Sequence, residues 1–224
     1  MKNLKLLIHD WDDTITNSFQ TYLTWYADFG RHFNIYDAPD LLSVRTRWGE
    51  SIPSLVNAAF PSISVADADN MVIEFRNSSA FDAVLYTPTI FSDVKSTFEF
   101  LRSKNIELGI LTHAPTDSLH RSYKKNLGNP YEFHSIVNTY EDLPQPKPHA
   151  SSFSNIISYI CDSNMDTSQT LYIGDSVIDY RAAQAAGIPF IAVVTGITST
   201  EDFLDAGLHS ASILESFGDL CHIL

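Results

Sequence analysis

Residues 4–14 read LKLLIHDWDDT. The apolar run from Leu4 to His9 predicts a strand, and it ends on Asp10 and Asp12. Side chains two apart on extended chain share a side, so both carboxylates project toward one pocket if the extended geometry continues that far. The longer stretch MKNLKLLIHDWDD begins like a secretory leader, but it meets three aspartates by residue 13, before any small-residue cleavage site. It therefore reads as a buried strand, and the protein is expected in the cytoplasm.

Composition limits what can surround that strand. At 224 residues the chain suits one large domain, or one domain carrying a smaller insert. A content of 44% hydrophobic and 18% charged residues excludes a collagenous or wholly disordered chain. No stretch approaches the roughly 18 uncharged apolar residues of a membrane span, so no membrane partner is expected. Acidic residues outnumber basic ones 27 to 14, and the net charge of -13 repels a phosphate backbone, which argues against polymeric nucleic acid as a partner. Cys161 and Cys221 are too few and too isolated for a disulfide framework or a zinc site.

Outward from the first strand, short apolar runs alternate with helical patterns, the signature of an α/β fold with a parallel sheet. Further strands are predicted at Glu107 to Thr112, Ser135 to Asn138, Thr170 to Gly174 and Pro189 to Thr195. Phe91, Val94, Phe98 and Leu101 form a helical stripe, and Val177 to Ala186 reads as a helix capped by Gly187. The intervals Thr112 to Lys147 and Lys147 to Asp175, 35 and 28 residues, each fit one strand-helix-strand unit. Asp10 to Thr112 spans 102 residues, leaving about 70 more than a crossover needs. A helical cap domain is therefore expected over 16–87, inserted into a core of 1–15 plus 88–224. Phe19, Tyr22, Leu23 and Tyr26 behind Ser18, and Ile52, Leu55, Val56 and Ala59 behind Ser51, supply its first helical patterns.

Four elements stand at predicted strand ends, the edge where open parallel sheets bind ligands: HDWDDT at 9–14, ILTHA at 110–114, QPKPHASSF at 145–153 and YIGDSVIDYRAAQAAG at 172–187. They bring Asp10, Asp12, Asp175 and Asp179 together with the Thr112 hydroxyl and the Lys147 ammonium. Crowded carboxylates repel one another and any anionic substrate unless a hard cation sits among them, and Mg2+ is the cation that oxygen ligands suit. Cation, ammonium and hydroxyl are what a phosphoryl group needs around its oxygens during transfer. One carboxylate of the Asp10/Asp12 pair would attack while the other moves protons. Singly, each element has an ordinary reading: a turn, a β-branched strand residue, a solvated lysine, an N-cap at Asp175 and Ser176. Their order, spacing and strand-end placement coincide only in the catalytic reading.

These motifs resemble those of the haloacid dehalogenase superfamily, which opens with DxDxT after an apolar strand, here Asp10, Asp12 and Thr14. Thr112, Lys147 in KPHASSF, and Asp175 with Asp179 in GDSVID resemble the remaining three motifs in order. The resemblance covers residues 4–14 and about 88–196 and implies a Rossmann-like core, with a cap like that of phosphoglycolate phosphatase-like members. It implies Asp10 as nucleophile and Mg2+ ligand, Asp12 as general acid and base with its backbone carbonyl on the metal, and Asp175 as a further ligand. Asp179 would hold the metal's water shell or orient Lys147, while Thr112 and Lys147 grip the phosphoryl oxygens. Asp13 stands where many members have Gly, only its backbone N–H facing the phosphate. His9 replaces a large apolar residue and, on an alternating strand, faces away from Asp10 as a packed, hydrogen-bonded histidine.

Asp12 argues against dehalogenation, which has no phosphoester leaving group to protonate. The DWDDT stretch is similar to DWAGT of phosphonoacetaldehyde hydrolases, yet no lysine for their cap Schiff base exists between residues 6 and 94. The resulting expectation is a Mg2+-dependent phosphomonoester hydrolase acting on a small phosphorylated metabolite through an aspartyl-phosphate. A sugar-phosphate mutase shares that nucleophile. A phospho-accepting receiver or silent phosphate-binding module is disfavoured by motif order, by the cap and by the complete motif set. Arg31, Arg45, Arg47 and Arg76 are the insert's only full cations, and Arg45 and Arg47, before a loop-like Trp48-Gly49-Glu50, are the candidates for a second anionic group. His113 and His149, each beside a motif residue, are candidates for the rim.

Overall fold

The computed structural model describes residues 3–224. The chain folds as two compact units, one formed by the chain up to Asn17 with Thr89–Leu224, the other by Ser18–Pro88.

The larger unit is built on a six-stranded sheet in the order β3-β2-β1-β4-β5-β6, every neighbouring pair parallel. Its strands are β1 (Leu6–His9), β2 (Glu107–Leu111), β3 (His134–Asn138), β4 (Thr170–Gly174), β5 (Phe190–Val193) and β6 (Ile213–Leu214). The first strand lies in the middle, and the order reverses on either side of it. That switch point is where a parallel α/β sheet opens a ligand crevice at its carboxyl edge. Period-two alternation divides the apolar side chains between the two faces. Leu7, Leu108, Ile110, Leu171, Ile173, Ile191 and Val193 face one core, which α5 (Val94–Ser103), α6 (Thr116–Asn126) and α10 (Leu220–Ile223) cover. Leu6, Ile8, Leu111, Tyr172, Phe190 and Ala192 face the other, covered by α7 (Ser154–Asp162), α8 (Val177–Ala186) and α9 (Thr200–Asp205). Burial on both faces is why these strands read as continuous apolar runs.

The smaller unit holds α1 (Ser18–His32), α2 (Leu41–Thr46), α3 (Ile52–Ala59) and α4 (Val65–Asn77). An aromatic cluster forms its core: Trp25 stacks on Phe29 at 4.9 Å, and Phe75 meets both rings edge-on at 5.6 Å. The buried stripe of α1 runs through Trp25, Tyr26, Phe29 and Gly30, so Phe19, Tyr22 and Leu23 sit at its margin rather than its centre.

Boundaries differ from the sequence expectations where chain ends leave the ladder. β1 starts at Leu6 instead of Leu4, and β5 stops at Val193 instead of Thr195. Ser18 is the first residue of α1 rather than its cap. The two-residue β6 carries too short a pattern to be read from sequence. Gly187 does cap α8, at φ 69 in the left-handed region that glycine enters without strain.

Candidate active site

Parallel register levels the strand ends. His9 pairs with Ile110 on one side and Ile173 on the other, so Asp10, Thr112 and Asp175 all emerge at the carboxyl edge around β1. The Asp10 N–H continues the ladder to the Ile173 carbonyl at 2.9 Å, which keeps Asp10 in line with the strand. Thr112 is buried just past β2; its N–H donates to the Asn138 carbonyl at 3.0 Å and its Oγ1 accepts from the Ala114 N–H at 3.0 Å. Lys147 comes from the segment between β3 and α7, and its backbone N–H donates to His113 Nε2 at 2.8 Å. Asp179 sits in the first turn of α8. There Ser176 Oγ accepts the Asp179 N–H at 3.2 Å, and Asp179 Oδ2 accepts from the Ser176 hydroxyl at 2.5 Å and its N–H at 3.2 Å.

These placements converge on one buried ammonium. Lys147 Nζ lies 2.6 Å from Asp179 Oδ1, 3.1 Å from Asp10 Oδ1 and 3.1 Å from the Tyr172 hydroxyl. Burial works against the charge on Lys147, but Asp10 and Asp179 outweigh it and hold the amine protonated. Burial likewise disfavours an ionised Asp179, and Lys147 overrides it to keep that carboxylate below its ordinary range. Burial and the nearby charges of Asp179 and Asp12 push the Asp10 carboxyl up to about 7 against the pull of Lys147. Burial, then Asp179 and Asp10, drive the Tyr172 phenol well upward, so it stays protonated and donates to Asp179 Oδ1 at 2.6 Å.

Asp10, Asp175 and Asp179 each offer a carboxylate oxygen within 4.8 Å of the others, a grouping that can hold a metal ion. The donor set is all oxygen, which suits a hard cation. Asp175 Oδ2 is buried without a hydrogen-bond donor among the described residues, whereas Asp10 Oδ1 faces the Lys147 ammonium at 3.1 Å. Burial, then Asp13, Asp179 and Asp10, raise the Asp175 carboxyl well above its ordinary range, the mark of a site short of positive charge. The other Asp175 oxygen accepts from Thr14 Oγ1 at 2.9 Å. A side chain at Gly196 would overlap the Asp175 carboxylate, so glycine leaves that oxygen open.

The remaining sequence candidates divide. Asp12 is half-buried and near enough for its charge to raise Asp10, but its side chain lies outside the three-carboxylate group. Asp13 adopts φ 56, a left-handed conformation that Asp tolerates better than most residues, and its carbonyl accepts from Thr195 Oγ1 at 2.6 Å. His113 supports the Lys147 backbone, whereas His149 is exposed and accepts the Ser151 N–H at 3.2 Å as a local cap. Arg45 is an exposed residue of α2. Arg47 is engaged inside its own unit: it donates to Glu50 Oε2 at 2.9 Å, to Asn57 Oδ1 at 3.2 Å and to the Ser54 hydroxyl. Sequence reading missed the roles of Tyr172, Thr14 and Gly196. Only the S-x-x-D pattern of Ser176 and Asp179 carried a local signal, that of a capping box.

Comparison with known proteins gives the same motif order a family context. The family model described as haloacid dehalogenase-like hydrolase matches residues 7–193. Pyrophosphatase PpaX of Oceanobacillus iheyensis is 27% identical over 172 residues, 77% of this chain and 76% of that protein. A phosphoglycolate phosphatase of Haemophilus influenzae is 26% identical over 200 residues, 86% of each chain. A haloacid dehalogenase-like family hydrolase from Streptococcus pneumoniae superposes with a TM-score of 0.77 at 18% identity, covering 100% of both chains.

Proposed function

The chain belongs to the haloacid dehalogenase-like hydrolases, and from that premise we propose that it is a Mg2+-dependent phosphatase that cleaves a small phosphorylated metabolite through an aspartyl-phosphate on Asp10. The observation that carries this reading is the buried Lys147 ammonium between Asp10 and Asp179, beside an Asp175 carboxylate oxygen without a donor among the described residues. Such a site favours an added cation and a dianionic guest.

Asp175, whose Oδ2 has no donor among the described residues, would hold Mg2+ together with Asp10 and the Asp12 backbone carbonyl. Asp179, both of whose oxygens are already hydrogen-bonded, orients Lys147 instead. Bound there, Mg2+ would offset the charge of carboxylates and phosphoryl oxygens and favour ionised Asp10. Asp10 then attacks phosphorus: its carboxylate oxygen forms the new P–O bond as the ester P–O bond breaks, and Asp12 gives the departing oxygen a proton. In the second half Asp12 takes a proton from water, whose oxygen attacks phosphorus, and the Asp10–phosphate bond breaks to release inorganic phosphate. Lys147 and the Thr112 hydroxyl neutralise and orient the phosphoryl oxygens in both halves. Substrate selection is assigned to the helical unit as a cap, with Arg45 and Arg47 the candidates for a second anionic group.

Phosphate release from a panel of phosphorylated metabolites, beginning with phosphoglycolate and pyrophosphate, tests the proposal. Activity should require Mg2+, vanish with chelator, and fall by several orders of magnitude in Asp10→Asn. Undiminished turnover in either case overturns it.

A further inference from the structure

His9 is fully buried, and its parity on β1 places it with Leu7 and Trp11 on the face opposite Asp10. Its ring is confined, stacked on Phe98 at 5.3 Å and met edge-on by Phe217 at 5.9 Å. His9 Nδ1 lies 2.6 Å from the backbone carbonyl oxygen of Asp10. A carbonyl only accepts, so Nδ1 carries the proton. His9 Nε2 lies 2.7 Å from His134 Nε2. Both rings are buried and enclosed by aromatic side chains, surroundings that disfavour a charged imidazole. With one proton per ring, His134 Nε2–H donates to His9 Nε2, and His134 Nδ1 accepts from the Tyr123 hydroxyl at 3.2 Å. The Pro130 carbonyl, 3.1 Å from that nitrogen, could accept from it only in the other tautomer, which would set two unprotonated Nε2 atoms against each other at 2.7 Å.

The hydrogen-bond chain thus runs one way, from Tyr123 through His134 and His9, and ends on the peptide joining Asp10 to Trp11. The opposite end of that peptide is the Trp11 N–H, which interacts favourably with the Asp10 carboxylate.

We propose that His9, held by His134 and Tyr123, is a positioning residue that pins the Asp10–Trp11 peptide and thereby aims the Asp10 carboxylate. It rests on the reading of Asp10 as the attacking group. His9 touches no reacting atom, so it governs the rate of attack and not substrate affinity.

Two substitutions separate the halves of the imidazole. His9→Asn puts an amide N–H where Nδ1 stands and keeps the donor to Asp10. His9→Gln puts an amide oxygen near Nε2, keeping the link to His134 while losing that donor. With p-nitrophenyl phosphate and Mg2+, His9→Gln should lose about tenfold or more in kcat with KM little changed, while His9→Asn stays within about threefold of the parent. Equal kcat in the two variants, whether both high or both low, overturns the proposal, as does a loss confined to KM. Histidine 15N chemical shifts of the unmodified protein decide independently of how the variants fold. One buried neutral ring must carry its proton on Nδ1 and its neighbour on Nε2; the opposite tautomer at His9 overturns the proposal. Asp10→Asn in the same assay keeps the failures apart. Retained activity there sinks the nucleophile, whereas an inactive Asp10→Asn beside unaffected His9→Gln sinks only the positioning role.

Discussion

Replacing Lys147 by Met keeps an unbranched stem and removes the ammonium that compensates Asp10 and Asp179. Breaking a buried ion pair from one side typically costs about 3–5 kcal/mol, because the remaining charge is left without a partner. Proton linkage gives a second route to the magnitude. Lys147 and Asp179 are buried, their Nζ and Oδ1 atoms 2.6 Å apart, and without the ammonium the Asp179 carboxyl is driven to take up a proton. Holding a carboxyl neutral at pH 7 when its ordinary pKa is about 3.9 costs about 4 kcal/mol, at roughly 1.4 kcal/mol per pH unit, and about 1.5 kcal/mol at pH 5. The sign follows from proton counting. In the variant the folded state binds more protons than the unfolded chain above pH 4, so its stability drops as pH rises. In the parent, Asp179 is held below its ordinary range and contributes stability in that same window. Differential scanning calorimetry in chelator should therefore find Lys147→Met about 8–16 °C lower in Tm at pH 7, taking roughly 2–4 °C per kcal/mol, and a smaller gap at pH 5. Tyr172→Phe, which removes a hydroxyl but no charge, should show no comparable growth with pH. A Lys147→Met gap under about 3 °C at pH 7, or one independent of pH, would make Lys147 a packing residue and refute the reasoning.

Gly196→Ala drives a Cβ into the Asp175 carboxylate, which Thr14 anchors from the other oxygen. It should raise the Mg2+ concentration for half-maximal phosphate release about tenfold, since overpacking costs on the order of 1–3 kcal/mol. An unchanged requirement would mean that Asp175 yields without loss of the site. Burial holds His134 neutral well below its ordinary pKa of about 6.5, so the folded state binds fewer protons than the unfolded chain in acid, and stability present above that pH is lost as it falls. Since Asp10 and Asp175, raised in metal-free protein, act in the opposite sense, the quantity to follow is the difference between the parent and His134→Phe. That difference should turn against the parent between pH 6.5 and 5, and a flat difference rejects a buried neutral His134.

Much of the rim was legible because parallel strands end level. Apolar runs locate β1, β2 and β4 to within two residues, and the strand-helix-strand intervals set Thr112, Lys147 and Asp175 at the same edge as Asp10. Groups that meet only across the fold left no such trace. His9 and His134 stand 125 positions apart, and nothing local at either position announces the other. Tyr172 reads as one apolar residue in a buried strand, since its hydroxyl acquires meaning only where Asp179 and Lys147 arrive. The engagement of Arg47 was closer to the surface of the sequence, with Glu50 and Ser54 three and seven residues on, but charge spacing alone does not tell a solvated arginine from a bonded one. Asp179 shows why some alternatives in a sequence are not alternatives in a structure. Ser176 and Asp179 can be read as a helix cap or as part of an acidic site, and the geometry makes them both. Capping occupies Asp179 Oδ2 with the Ser176 N–H and hydroxyl, which sets the carboxylate plane and leaves Oδ1 to receive Lys147 and Tyr172. The helix start is thus the device that aims the acid, and a substitution at Ser176 would act on the charge of the site through the same hydrogen bonds that begin α8.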